Sequence, residues 1–236
     1  MEIDFNGHII KPESSARFLG ITISDDLSWD RYILEDKNSL LSYLNKKLAA
    51  LKKMSRLCTL SQMLLLANGM IISKITYCLS AWADCKQMLK DKIQAILTET
   101  YRVVYNDRHS STKELFQKAR ALTFNGWISY LDFFLGKNIK DHMKPVDLAG
   151  KIGMVQLTDQ MERTNTRSMA NGRIQYNAFN TSSYTPRWKT FIPRFTRLYN
   201  KVPHHLAHTN MRTGSYLEIK EMKENVKYFI RTNQTY

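Results

Sequence analysis

The sequence predicts a mainly α-helical protein with a small β-hairpin or sheet fragment at its N-terminus, and three observations carry that expectation. Alternating apolar residues and turn signals are confined to residues 1–24. From residue 31 to residue 145 the apolar residues recur at helical spacing, and Ser/Thr-x-x-Glu/Gln capping patterns open two of the segments. Beyond residue 146 the periodicity lapses, and it returns in a basic segment over 191–236.

The elements follow in order. Ile3 and Phe5, the Asn6-Gly7 turn and Ile9-Ile10 read as a hairpin. Phe18-Leu19-Gly20-Ile21-Thr22-Ile23 is a second β-rich run that stops at Ser24-Asp25-Asp26. Two or three such strands make a sheet too small to be stable alone. Leu40, Leu41, Leu44, Leu48, Leu51 and Met54 then form one helical stripe. Thr59-x-x-Gln62 opens a helix expected to run through Ile71, Ile75 and Leu79 to Trp82. Leu89, Ile93, Ile96, Leu97 and Val104 mark a third, and Ser111-x-x-Glu114 a fourth. Asn125-Gly126 leads into a fifth, carrying Trp127, Tyr130, Leu131 and Phe134. Residues 147–186, rich in Asn, Thr, Ser and Gly, read as an irregular connection that proteases should cut first. A last helix carries Ile219, Met222, Val226, Phe229 and Ile230.

Composition narrows the functional classes. Apolar residues make up 43% and charged residues 24%, ordinary for a globular chain. The charge is not ordinary: 35 basic against 21 acidic side chains give +14. Residues 150–236 hold 14 basic and 5 acidic side chains, an excess that favours a polyanionic partner. The three cysteines, Cys58, Cys78 and Cys85, lie in apolar surroundings without a Cys-x-x-Cys pair, and read as reduced core thiols of an intracellular protein, nuclear or cytoplasmic. Met63 to Ala83 is the longest apolar-rich stretch, but Asn68, Gly69, Ser73, Lys74 and Ser80 interrupt it, so it reads as a buried helix and no membrane partner is expected.

Each candidate chemical feature has a bland reading beside it. Asp25-Asp26 offers adjacent carboxylates for a metal, against ordinary turn and N-cap chemistry, and no third carboxylate sits on a neighbouring strand. Lys46, Lys47, Lys52, Lys53 and Arg56 form a basic helix able to track phosphates, against a solvated face. His204, His205 and His208 contain an i, i+4 pair at metal-ligand spacing with no Glu or Cys to complete it. Trp29, Tyr77 and Trp82 could stack on bases, although their apolar neighbours point to the core. No phosphate loop, nucleophile elbow or Cys–His pair occurs, so no metal ligand and no catalytic residue is assigned.

Several of these landmarks, in this order, resemble the region that follows the catalytic palm in reverse transcriptases of non-LTR (LINE-type, jockey-like) retrotransposons. Phe18-Leu19-Gly20-Ile21, followed by Asp26-Leu27-Ser28-Trp29, is similar to that family's aromatic-Leu-Gly and Asp-x-Leu-x-Trp segment. Lys46-Lys47-Leu48 with Leu51 resembles its first post-palm helix, and Ser73 to Trp82 its Ile-x-Tyr helix ending in Trp. Arg102 falls where the family has an arginine in its next helix. Leu198-Tyr199-Asn200-Lys201-Val202-Pro203 resembles its late Trp-Asn-x-Leu-Pro signature, with Tyr and Val substituted.

The resemblance implies a palm-border β fragment over 1–30, with Phe18, Leu19 and Gly20 as a hairpin near the primer end. It also implies a helical thumb-like bundle over 31–145, an irregular linker over 146–190, and a basic C-terminal segment with a final helix over 191–236. The parent enzyme would be an RNA-directed DNA polymerase using Mg. Its catalytic carboxylates lie upstream of the matching region, so the resemblance implies a non-catalytic piece without a cofactor of its own. Its partners would be RNA or RNA–DNA duplex and the missing palm and fingers. The competing expectation is a helical protein–protein interaction module with no nucleic-acid role.

Overall fold

The computed structural model describes residues 3–5, 8–10, 13–146, 149, 191–207 and 209–234. It is mainly helical, with short antiparallel strands near the N-terminus. The chain divides into two compact units: Met1–Tyr77 with Cys85–Arg108, and Cys78–Asp84 with His109–Tyr236. The irregular linker expected over 146–190, and the cleavage expected inside it, fall almost wholly outside the described residues.

The first unit opens with two hairpins. Strand β1 (Ile3–Phe5) pairs with β2 (His8–Ile10), and β3 (Ser15–Phe18) with β4 (Ile21–Ser24). Phe18 faces Ile21 across the second turn, so Leu19 and Gly20 are its two central residues. Both have positive φ, 48° and 82°, as a two-residue turn matching the strand twist requires. The β-rich run is therefore two strands folded at Leu19-Gly20. A one-turn π-helix (Arg31–Glu35) follows, then α1 (Leu40–Met54), whose N-cap Ser39 accepts from the Ser42 N–H. Leu40, Leu41, Leu44, Leu48 and Leu51 are buried, which is the stripe expected.

Helix α2 (Leu60–Ala67) begins at a complete Thr59/Gln62 capping box and passes through a π-helical turn (Asn68–Ile72) into α3 (Ser73–Thr76). It was expected to continue to Trp82. Instead Tyr77 is extended and Cys78 adopts a left-handed φ of 49°, which breaks the helix. The physical reason is burial, because Trp82 is fully enclosed and stacks on Phe124 of the second unit. The first unit resumes with α5 (Gln87–Tyr105), which packs on α1 and α2 through Leu89, Ile93, Ile96 and Leu97. Asn106 closes it in the left-handed conformation that Asn tolerates.

The second unit takes α4 (Leu79–Trp82), α6 (Thr112–Lys118), α7 (Phe124–His142), α8 (Phe191–Lys201) and α9 (Tyr216–Asn233). The Ser111/Glu114 capping box is present as expected. Asn125-Gly126 does not precede the fifth helix but lies in its first turn. Thr123 caps that turn by accepting from the Gly126 N–H at 3.1 Å, while Gln234 Oε1 accepts from the Thr123 N–H at 2.9 Å. Leu122, Phe133, Val202, Met222, Val226 and Ile230 form the core, and α7 contacts α4, α8 and α9. The contacts thus share the stretch 31–145 between two units and join 191–234 to the second, where α8 and α9 both pack on α7.

Candidate nucleic-acid interface

On a helix advancing 100° per residue, the five cations assigned to one basic face do not share it. Lys46 and Lys53 lie opposite the buried leucine stripe and are exposed, as is Arg56 just past the helix end. Lys47 and Lys52 instead flank that stripe on opposite sides. Lys52 is drawn to Glu99 of α5 at 2.8 Å, so part of its charge is satisfied within the protein. Lys47 points the other way, its ammonium 5.4 Å from the Tyr43 ring centroid.

That second side is where chemistry accumulates. Lys74 sits 5.8 Å from the Tyr43 ring and 5.6 Å from the Tyr77 ring, so two lysines and two tyrosines alternate across α1 and α3. The Tyr77 hydroxyl donates to the Leu19 carbonyl at 2.8 Å, tying the β3–β4 turn to the end of α3. Tyr43 is 36% exposed and Tyr77 43%, so both rings lie partly at the surface. Phe18 and Leu19, at 64% and 70%, stand out beside them. A pocket of about 230 Å³ opens beside Gly20, lined among others by Arg17, Asp36, Lys37 and Lys74. Thr22 Oγ1 donates to Asp36 at 2.8 Å there, fixing the one carboxylate among three cations.

Alternating aromatic faces and ammonium groups suit a nucleic-acid strand: rings stack on bases and cations meet phosphates. Of the residues expected to act, Lys47 and the Phe18-Leu19-Gly20 hairpin meet in this region, Lys46, Lys53 and Arg56 lie on the exposed side of the same unit, and Lys52 is turned toward Glu99. Tyr43, Lys74 and Arg17 were not anticipated. The i, i+4 pair Tyr43/Lys47 and the i, i+3 pair Lys74/Tyr77 were the available signals. Tyr77, expected in the core, is a correction. The helix stops at that residue, and its ring lies at the surface with the hydroxyl on the turn.

The remaining candidates resolve into ordinary structure. Asp25 Oδ1 accepts from the Asp26 N–H at 2.9 Å, and Asp26 Oδ1 from the Ser28 N–H at 2.7 Å. This is turn chemistry, and no side chain caps the π-helical turn that follows. His204 and His205 belong to a single 3-10 turn, and His208 lies outside the described residues. Trp82 is fully buried and stacks on Phe124 at 5.8 Å. Of the cysteines only Cys85 is a core thiol; Cys58 is half-buried and Cys78 exposed, because the left-handed turn at Cys78 lifts it out of the helix. Lys86 pairs with Asp30, whose hydrogen bond and charge hold the ammonium above its ordinary pKa. Among the described residues no group of three His, Cys, Asp or Glu could hold a metal ion, and no helix is long and apolar enough to cross a membrane. No protein-family model matches the chain, and no curated protein or solved structure matches it either.

Proposed function

We propose that this chain is the non-catalytic, template–primer-binding part of a reverse transcriptase of the non-LTR retrotransposon type, acting inside the cell in the nucleus or cytoplasm. One observation carries the reading: Leu19 and Tyr77, 58 residues apart and each inside a segment that resembles that family, meet through a hydrogen bond beside the Tyr43–Lys47–Lys74 cluster. In this reading the tyrosines stack on exposed bases, Lys47 and Lys74 neutralise adjacent phosphates, and Lys46, Lys53 and Arg56 extend the track along α1. The palm and fingers of a parent polymerase would complete the enzyme.

The test is RNA–DNA duplex binding as a function of salt. Each phosphate contact contributes about 0.9 to the slope of log affinity against log salt. Replacing Lys46, Lys47, Lys53 and Lys74 with Ala should therefore flatten the slope by up to about 3 to 4. Tyr43→Ala and Tyr77→Ala should weaken binding by about 1–3 kcal/mol per base contact while leaving the slope alone. Identical salt titrations for the wild type and the lysine variant would reject the interface and favour a protein–protein module.

Among the described residues no group of His, Cys, Asp or Glu is placed to hold the parent enzyme's Mg. Two-metal phosphoryl transfer requires carboxylates that hold cations about 3.5–4 Å apart. Asp25 and Asp26 spend an oxygen each on turn N–H groups, and no third ligand joins them among the described residues. A labelled primer on an RNA template should accordingly stay unextended with magnesium or manganese. Extension that Asp25→Asn and Asp26→Asn both abolish would overturn this assignment.

A further inference from the structure

The second unit holds a cavity that the template–primer reading does not use. It measures about 230 Å³ and lies between α7 and α8, lined by Ile128, Ser129, Asp132, Arg194, Arg197, Leu198 and Lys201. Arg194, Arg197 and Lys201 are spaced i, i+3, i+7 and so share one stripe of α8. The opposite face of that helix is anchored by Phe195, which is fully buried. Ser129 and Asp132 are spaced i, i+3 and share a stripe of α7.

The cavity is a built structure and not merely a basic helix face. Asp132 is 1% exposed and accepts from Arg194 Nε at 2.6 Å, and Arg194 Nη2 donates to the Ser80 carbonyl at 3.3 Å. A carboxylate so buried needs its cation, so this pair fixes where Arg194 sits and sets the floor of the cavity. Arg197 and Lys201, both exposed, line the same cavity and bring two further cationic side chains to it.

We infer that this cavity is a phosphate-binding site, independent of the interface on the first unit. A phosphate monoester carries about −1.5 to −2 at neutral pH and three strong acceptor oxygens, which suits a cavity lined by arginine, lysine and serine side chains. The planar guanidinium of Arg197 can present two N–H donors to two phosphate oxygens. The Ser129 hydroxyl can supply a further donor. At about 230 Å³ the cavity has room for a phosphate or diphosphate group. The same chemistry accepts free phosphate or the phosphate of a nucleic-acid backbone.

The test titrates the full chain with inorganic phosphate and with diphosphate at constant ionic strength, followed by phosphorus NMR and calorimetry, with acetate as the carboxylate control. Saturable binding of diphosphate is expected, weakened at least about tenfold in Arg197→Ala/Lys201→Ala because charged hydrogen bonds are lost. Arg197→Gln/Lys201→Gln, which keeps side-chain length, should lose affinity alike, with an unchanged circular dichroism spectrum as the folding check. Displacement of diphosphate by a single-stranded oligonucleotide would identify backbone phosphate as the source, and saturable binding without displacement would identify free phosphate. Replacing Lys46, Lys47, Lys53 and Lys74 should leave diphosphate binding intact, which separates this site from the template–primer reading. No saturable binding, equal binding by the double variants, or acetate binding as tightly as diphosphate would each overturn the assignment.

Discussion

Trp82→Ala is expected to destabilise the second unit by about 3–5 kcal/mol, the usual cost of emptying a fully buried aromatic site. Trp82 is completely enclosed and stacks on Phe124 with a centroid separation of 5.8 Å and an interplanar angle of 25°. Its helix is four residues long and has no side-chain cap, so its placement depends on the packing of that ring. Since a domain is stable by only about 5–15 kcal/mol, such a loss would expose much of the unit to exchange. Native-state hydrogen exchange should show amides of α4 and the start of α7 opening together in the variant. Trp82→Phe, which preserves ring stacking, should recover a large part of the loss. An unfolding midpoint for Trp82→Ala within experimental error of wild type would contradict the packing described for this residue.

Gly136→Val is the second large effect. A Cβ at residue 136 would stand 2.3 Å from two carbons of the Phe195 ring, far inside van der Waals contact. Phe195 is itself fully buried among Phe133, Phe191 and Tyr199, so it has no empty space to move into. Forcing extra carbon into a packed core costs about 1–3 kcal/mol, and a β-branched group at the point of closest helix approach belongs at or above the upper end. Gly136→Ala should cost less, since Ala gains about 1 kcal/mol of helix propensity over Gly. Pairing either change with Phe195→Ala should yield a strongly non-additive double-mutant cycle. Additive energies would mean that α7 and α8 do not meet at this position.

Much of the fold was legible because the signals are local. The leucine stripe of α1 and the capping boxes at Thr59/Gln62 and Ser111/Glu114 are decided within a few residues, and each forms as expected. What escaped depends on distant partners. Nothing between Ile75 and Trp82 is a Gly or a Pro, so the break at Tyr77-Cys78 has no local cause; it answers to a Trp82 site built from Phe124, more than forty residues on. The residue pattern alone reads Phe18 to Ile23 as one β-rich run; the turn at Leu19-Gly20 follows only from the family resemblance, and the positive φ at both residues displays it. The candidate interface was half legible. Lys47 and the hairpin were singled out, but their meeting with Tyr43 and Lys74 is a tertiary fact. The pairing of Lys52 was out of reach of local reasoning because Glu99 lies on another helix.

The brief departure of residues 78–84 from the first unit has a consequence for synthesis. The emerging chain completes the helices on either side before Phe124 exists, and translation adds roughly 5–20 residues per second. For a few seconds, then, the ribosome presents a bare tryptophan on a short tethered turn, with its eventual neighbours still unmade. For the same reason neither unit is one uninterrupted stretch of message. An exon boundary or a recombination point placed between 108 and 109 would part the second unit from the tryptophan buried against Phe124.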